Sequence, residues 1–321
     1  MSDRRAFVRA LAAGLLVAPF SAAGIPENTV RRVGWLHLGQ PWSLHQFRDK
    51  LTELGWIEGR NLVIDARFAD NDASRLPALA AELVELRVDV IVTQTTNAAV
   101  AAKNATTVIP VVMAGSSNPE GLGLVGSLAR PGGNVTGVTN SPGSGFGWKI
   151  VQMLKEAAPR VSRLAVLYGP GYVGIGGQDE DIPALGVAVI GANANTQAEV
   201  PTALAAALRQ RADGLFIPST PVNEAEKRWI AEFALTHRLP AIGGSKDMVS
   251  VGILMSYWAD WAAIRRQAAV YVDKILKGAN PGELPVERPT KFELAINLST
   301  ARSLRLTIPH ALMLRADELF E

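Results

Sequence analysis

Residues 76–121 read LPALAAELVELRVDVIVTQTTNAAVAAKNATTVIPVVMAGSSNPEG, and this stretch decides the fold. Leu76, Leu79, Leu83, Val84 and Leu86 recur at helical spacing. Val88 to Val92 then forms a short apolar run rich in β-branched residues, the pattern of a strand buried on both faces. The run stops in Thr93, Gln94, Thr95, Thr96 and Asn97, and the alanine-rich segment from Ala98 to Ala105 predicts a helix with Thr96 or Asn97 as its N-cap. A second strand, Ile109 to Ala114, ends the same way in Gly115, Ser116, Ser117 and Asn118. Good capping alone accounts for one such corner. Two in succession place hydroxyls, amides and free backbone N–H groups at the carboxyl ends of parallel strands, where open α/β sheets hold small molecules.

Upstream, Val33 to Leu38 reads as a first strand and Gly39-Gln40-Pro41 as a loop, while Phe47, Leu51 and Leu54 mark one face of a helix ending at Gly55. Asn61 to Asp65 predicts a second strand, and Asp70 to Ser74 a polar loop with capping residues for the next helix. Strand and helix alternate without interruption, the signature of a parallel sheet covered on both faces. Downstream, Gly121-Leu122-Gly123-Leu124-Val125-Gly126 fits G-x-G-x-x-G, but polar residues separate it from its strand and no Asp or Glu occurs between Ser127 and Lys155. A dinucleotide site needs both features, so these glycines are expected to let a short helix approach the sheet.

Asn134 to Thr139 predicts another strand, and the Pro/Gly/Ser loop from Asn140 to Gly147 reads as a domain boundary. Beyond that loop the second half of the chain resembles the first. Leu164 to Tyr168 echoes Val33 to Leu36, Val200 to Phe216 echoes Leu76 to Ile91, and Arg238 to Ser245 echoes Val108 to Ser116. The expected architecture is α/β: two similar doubly wound parallel-sheet lobes, residues 30–140 and 145–252, joined by a multi-stranded hinge, with residues 253–321 recrossing between them. In that tail, Trp258, Ile264, Ala268 and Tyr271 predict a helix to about Leu276, Phe292 to Ile296 a strand, and Ser299 to Leu304 a helix; the pattern does not assign each piece to a lobe.

The first 23 residues stand apart. Arg4, Arg5 and Arg9 precede the apolar run Ala10 to Ala18, and Ser21-Ala22-Ala23 supplies a signal-peptidase site, so export with cleavage after Ala23 is expected. Arg4-Arg5-Ala6-Phe7-Val8 resembles a twin-arginine signal, and the apolar run is too short to remain as a membrane-spanning helix. Removing its three arginines and one aspartate from 32 basic and 30 acidic residues leaves 29 of each. With no net charge and no basic stripe interleaved with aromatics, nucleic-acid binding is not expected. The absence of cysteine excludes disulfides, thiolate metal sites and cysteine nucleophiles.

The chain from Val33 to Glu321 resembles the tryptophan/tyrosine-type ABC-transporter substrate-binding family, of the type I periplasmic binding protein fold. The resemblance is densest in Leu54-Gly55-Trp56-Ile57-Glu58-Gly59-Arg60-Asn61, Arg75 to Val92, Leu128 to Gly137, Pro289 to Leu294 and Leu314 to Glu318. It departs at Gly169 to Gly177, glycine-rich where the family usually carries Asn-Pro and a full helix, which bears on the ligand wall of the second lobe. It implies an extracytoplasmic receptor that closes its lobes on a small polar or carboxylate-bearing solute, amino-acid-like or aromatic. The receptor would deliver that solute to the permease and ATPase subunits of an ABC importer, and would touch the membrane only through the permease.

The first ligand wall is expected at Gln40, Thr95, Thr96, Asn97, Ser116 and Ser117, the second at Tyr168, Tyr172, Ser219, Thr220 and Ser245, with Trp258 available to stack. N-cap hydroxyls and helix N-termini suit a carboxylate. No catalytic residue, metal ligand or cofactor is expected: His37, His45, His237 and His310 fall in no metal spacing, His37 reads as a satisfied core residue, Asp179-Glu180-Asp181 as a solvated turn, and there is no G-x-S-x-G elbow. A ligand sensor for a membrane receptor kinase would share all these features and differ only in its partner.

Overall fold

The computed structural model describes residues 30–39, 44–141, 143, 145–169 and 182–321. The expected signal segment, Gln40, Tyr172, the acidic turn at 179–181 and nearly all of the glycine-rich stretch lie outside the described residues.

The first lobe is a five-stranded, wholly parallel sheet built from β1 (Arg31–His37), β2 (Leu62–Phe68), β3 (Val90–Gln94), β4 (Val111–Ser116) and β5 (Val135–Thr139), in the order β2-β1-β3-β4-β5. Every residue of β3, β4 and β5 is buried, as the apolar runs predict. The helices α1 (His45–Glu53), α2 (Leu76–Glu85) and α3 (Thr96–Ala105) cover the sheet; of the residues marked from sequence in and beside α2, Leu76 and Leu83 are buried, with Ala80, while Leu79, Val84 and Leu86 are half-buried against the same core. Two local expectations are corrected. The N-cap of α3 is Thr95, whose hydroxyl accepts from the Ala98 N–H, because β3 runs on through Thr93 and Gln94. Residues 121–126 form turns, with the Leu124 and Val125 N–H groups both donating to the Pro119 carbonyl, and no helix forms there.

The second lobe repeats this plan. After α4 (Phe146–Ala157) come β6 (Arg163–Tyr168), β7 (Ala188–Asn193), α5 (Val200–Arg209), β8 (Gly214–Ile217), α6 (Pro221–Ala225), α7 (Lys227–Thr236), β9 (Ala241–Gly243), α8 (Lys246–Ser250) and β10 (Met255–Ala259). Its parallel strands run β7-β6-β8-β9-β10, the same order as the first sheet. Two further strands extend it: β11 (Phe292–Asn297), antiparallel to β10, and β12 (Glu318–Phe320), parallel to β11. Trp258 therefore stands on a strand and not, as its spacing with Ile264 and Ala268 indicated, at the head of a helix.

Between β10 and β11 the chain returns to the first lobe as α9 (Trp261–Leu276). Ile264, Ala268, Tyr271, Val272 and Ile275 pack with Val33, Trp35, Phe47, Val90 and Val112 of the first lobe. At roughly 1.5–3 kcal/mol per large apolar side chain, this burial makes α9 integral to that lobe. Trp56 Nε1 donates to Asp273 Oδ1 at 2.9 Å and closes the far end of the seam. The chain thus crosses three times: between β5 and α4, at Ala259–Asp260, and between Glu287, which bridges to Val138 beside β5, and Phe292. The second and third crossings are tied by the Asp260 N–H donating to the Lys291 carbonyl at 3.0 Å. After β11, α10 (Leu298–Ser303) and α11 (His310–Met313) complete the second lobe.

Candidate functional site

The carboxyl ends of both parallel sheets face one cavity of about 730 Å³. That is within the size range of small-molecule sites, and it opens where doubly wound sheets place their ligands. From the first lobe, the wall is built by His37 at the end of β1, His45 and Gln46 at the start of α1, Asn71 after β2, and Gln94 and Thr95 at the end of β3. From the second, it is built by Ser219 and Thr220 after β8, Glu224 on α6, Ser245 after β9, and Ser256 and Trp258 on β10.

Of the residues singled out from sequence, Thr95, Ser219, Thr220, Ser245 and Trp258 line this cavity. The hydroxyls of Thr95 and Thr220 accept from the Ala98 and Asn223 N–H groups as helix caps. A capping hydroxyl keeps its own proton to donate, so both offer an O–H to an acceptor in the cleft. Ser219 Oγ donates to Glu224 Oε1 at 2.7 Å, whereas Ser245 Oγ has no partner among the described residues.

Thr96, Asn97, Ser116, Ser117 and Tyr168 are not part of the lining. Ser117 explains why its corner is occupied: its N–H donates to Thr96 Oγ1 at 3.0 Å and its hydroxyl to Asn140 Oδ1 at 2.8 Å. Ser116 is fully buried and its carbonyl accepts from Thr139 Oγ1. Tyr168 is half-buried at the end of β6, and burial pushes its phenol pKa up.

Sequence reasoning missed the most distinctive group. Arg265, one turn beyond Trp261 on α9, is 4% exposed, yet it lines the cavity. Its Nη1 lies 3.4 Å from Gln46 Oε1 and its guanidinium 6.0 Å from the Trp261 ring centroid. Burial pushes its pKa down to about 10, the charges of Asp260 and Asp247 acting the other way, so it stays cationic at neutral pH. The signal was an arginine set among the inward positions Ile264, Ala268 and Ala269 of an amphipathic helix. His37, read as a core residue, is indeed buried, but it also borders the cavity.

The acids of the lining each stand within 4.0 Å of a lysine: Glu224 and Asp247 beside Lys227, Asp260 and Glu293 beside Lys291. Burial pushes the Asp260 carboxyl up, but hydrogen bonds from Lys291 and the Ala263 N–H, with the lysine charge, outweigh it and hold the group below the ordinary carboxylate range. Among the described residues no group of three His, Asp or Glu side chains could hold a metal ion. The arrangement offers a buried cation, hydroxyl donors and two indoles, which is equipment for holding a small anion-bearing solute.

Two parallel-sheet lobes with a cavity between their strand ends, linked by three crossings, define a solute receptor of the type I periplasmic binding protein fold. Residues 43–320 match the family model for the ABC transporter substrate binding protein, and the chain belongs to that family. It is 26% identical over 279 residues to a tyrosine-binding protein of Clostridioides difficile, covering 85% of this chain and 80% of that relative. Among solved structures, a conserved domain protein of Vibrio cholerae is 28% identical with a TM-score of 0.83, covering 91% of this chain and all of the other. The L-Trp complex of an ABC domain from Streptococcus pneumonia is 24% identical with a TM-score of 0.81 over the same shares.

Proposed function

We propose that the protein captures a small solute bearing a carboxylate, amino-acid-like or aromatic, between its lobes outside the cytoplasm and hands it to the permease and ATPase subunits of an ABC importer. The carrying observation is Arg265, a guanidinium buried in the cavity wall beside the Gln46 amide. Its planar fork of N–H donors matches a carboxylate, and the low dielectric of a buried wall strengthens that pairing. The hydroxyls of Thr95 and Thr220 add donors from opposite lobes, so one anionic group can be held from both sides and closure is favoured by as much as the closed state binds better. The tyrosine-binding relative supports an amino-acid-like solute. Among the described residues no helix is long and apolar enough to cross a membrane. The arginine-led stretch up to Ala23 is read as the export signal, and delivery of solute, not its turnover, as the protein's task.

Isothermal titration tests this with L-tyrosine, L-tryptophan and L-leucine against their carboxamides. At least one free carboxylate is expected to bind, its amide far more weakly. Arg265→Ala is expected to weaken the carboxylate by roughly 10- to 200-fold, the equivalent of about 1.5–3 kcal/mol for a hydrogen bond to a charged group. Arg265→Lys keeps the charge but loses the fork, and should fall between. Equal binding of acid and amide would refute the assignment.

A further inference from the structure

We infer that Trp261 is the positioning residue for the Arg265 guanidinium, and that the glycine at 115 is what lets its indole take that place. The inference rests on the reading of Arg265 as the group that takes a solute carboxylate. Trp261 is the first residue of α9 and Arg265 stands one turn on, so their side chains are neighbours on one helix face. Both line the cavity, and the guanidinium carbon lies 6.0 Å from the ring centroid, within reach of a cation–π contact.

What seats the ring comes from the sheet. A Cβ added to Gly115 would overlap Trp261 Cζ3 and stand 3.2 Å from Cη2, so the six-membered edge of the indole rests directly on the β4 backbone. Gly115 has φ +103°, a left-handed conformation that side chains rarely adopt. The pairing of β4 with β5 shifts register at the same residue: Ala114 stands opposite Val138 and Ser116 opposite Thr139, which leaves Gly115 as the extra residue of a bulge. A bulge re-aims the chain locally, and this one offers bare backbone to a ring from another element. The turn that carries the ring is held as well, because Asp260 Oδ1 accepts from the Ala263 N–H at 3.0 Å.

The guanidinium needs such a restraint. An arginine on its long flexible stem meets a carboxylate with two parallel hydrogen bonds only when its plane is set beforehand. Gln46 Oε1, at 3.4 Å from Nη1, is long for a charge-assisted hydrogen bond and fixes one nitrogen loosely. The indole adds a second restraint. It is not what holds α9 to the first lobe, since Ile264, Ala268, Tyr271 and Val272 are buried there while Trp261 is half-buried. Its loss is therefore expected to change the order of Arg265 more than the stability of the fold.

Nitrogen-15 relaxation of the arginine Nε–H groups tests this with no solute present. The Arg265 signal is the one missing from Arg265→Lys. Its order parameter is expected near the rigid value of about 0.85 in the parent and below about 0.6 in Trp261→Leu, with Trp261→Phe close to the parent because a ring is kept. Gly115→Ala, which displaces the ring, is expected to fall as Trp261→Leu does. Leu62→Ala, in the same core but on the opposite edge strand, should lower the melting temperature and leave the Arg265 value unchanged. Titration with whichever of L-tyrosine, L-tryptophan and L-leucine the parent binds reads the consequence. Trp261→Leu should weaken the acid by roughly 2- to 30-fold, the range of a cation–π contact, leave its carboxamide nearly unchanged, and add little in an Arg265→Ala background. Equal binding of acid and amide by the parent would count against the carboxylate reading alone, and the relaxation result would still decide the positioning role. Should Gly115→Ala fail to fold, Trp261→Leu and Trp261→Phe decide the matter. An Arg265 Nε–H as ordered in Trp261→Leu as in the parent, or an equal fall in Leu62→Ala, would overturn the proposal, and a parent-like value in folded Gly115→Ala would remove the glycine from it.

Discussion

The corner after β4 and the corner after β9 occupy the same place in two sheets of the same strand order, and they are used differently. The first is stitched shut. Its Ser116 carbonyl accepts from Thr139 Oγ1 and from the Asn140 N–H, and its Ser117 hydroxyl and N–H are both engaged. In the second, Ser245 borders the cavity; its hydroxyl, like that of Ser116, is buried without a partner among the described residues, so the corners differ in the bonds made by Ser117 and in which of their serines reaches the cleft. The neighbouring fifth strand makes the difference. Strand β5 follows β4 to its end and delivers Thr139 and Asn140 alongside the corner. Strand β10 pairs with β9 only at Met255 and Ser256, then continues as Tyr257 and Trp258, rings that face the hinge and the cleft. A corner pattern in sequence therefore marks where a site can be, while the adjacent strand decides whether that corner's serines border the cleft.

The change expected to break this contrast most severely is Gly137→Ala, in the strand that seals the first corner. Gly137 has φ +122°, and an added Cβ would press on the Met113 backbone N and O across the β4–β5 pairing. Strain in that conformation and overpacking against an immobile backbone each cost roughly 1–3 kcal/mol, so a loss of about 2–6 kcal/mol is expected from urea unfolding. An unaltered midpoint would show that β5 is not held to β4 as closely as the geometry requires.

The same contrast explains what could be read in the sequence. The duplicated strand order was legible because parallel strands buried on both faces are long apolar runs, and Val88 to Val92 and Leu164 to Tyr168 announce themselves. The open second-lobe hydroxyls were legible too, being simply the residues at the carboxyl end of each strand. The sealing of Ser116 and Ser117 was not, since it depends on Asn140, more than twenty residues away and itself read as part of a linker. Arg265 was hidden for a different reason. It comes from a helix that leaves one lobe to build the wall of the other, and only the recrossing at Ala259–Asp260 brings it to the cleft. Trp258 reads as helical in sequence because its spacing to Ile264 and Ala268 continues a helical period across the strand end.

Swapping one serine at each corner sharpens the comparison at a smaller scale. Ser117→Ala removes the bond to Asn140 Oδ1 and should cost about 0.5–1.5 kcal/mol of stability, the net worth of a typical hydrogen bond, with little effect on solute affinity. Ser245→Ala should do the reverse, leaving the melting temperature nearly unchanged while weakening any solute that its hydroxyl contacts. Thermal unfolding and titration of the two variants side by side measure both quantities. If the two serines behaved alike in both, the distinction between a sealed and an open corner would be without consequence.

The smallest expected effect lies where the second lobe's fifth strand ends. Asp260 N-caps α9 through the Ala263 N–H at 3.0 Å and takes Lys291 Nζ at 2.8 Å, so one carboxylate holds two hinge crossings together. Its pKa is depressed in the folded protein, so the stability it contributes is present above the ordinary aspartate range near pH 4 and is lost as pH falls through the folded value. Lys291 is 62% exposed on its side chain, which screens the pair. Asn caps a helix about as well as Asp, so Asp260→Asn removes only the charge and should cost about 0.5–1 kcal/mol at pH 7. Urea unfolding from pH 7 down to pH 3 should then show parent and variant converging as the carboxyl protonates, with the gap at pH 7 narrowed by added salt. A gap that stayed constant across that range would assign the cost to lost capping and remove Asp260 from the charges that tie the crossings.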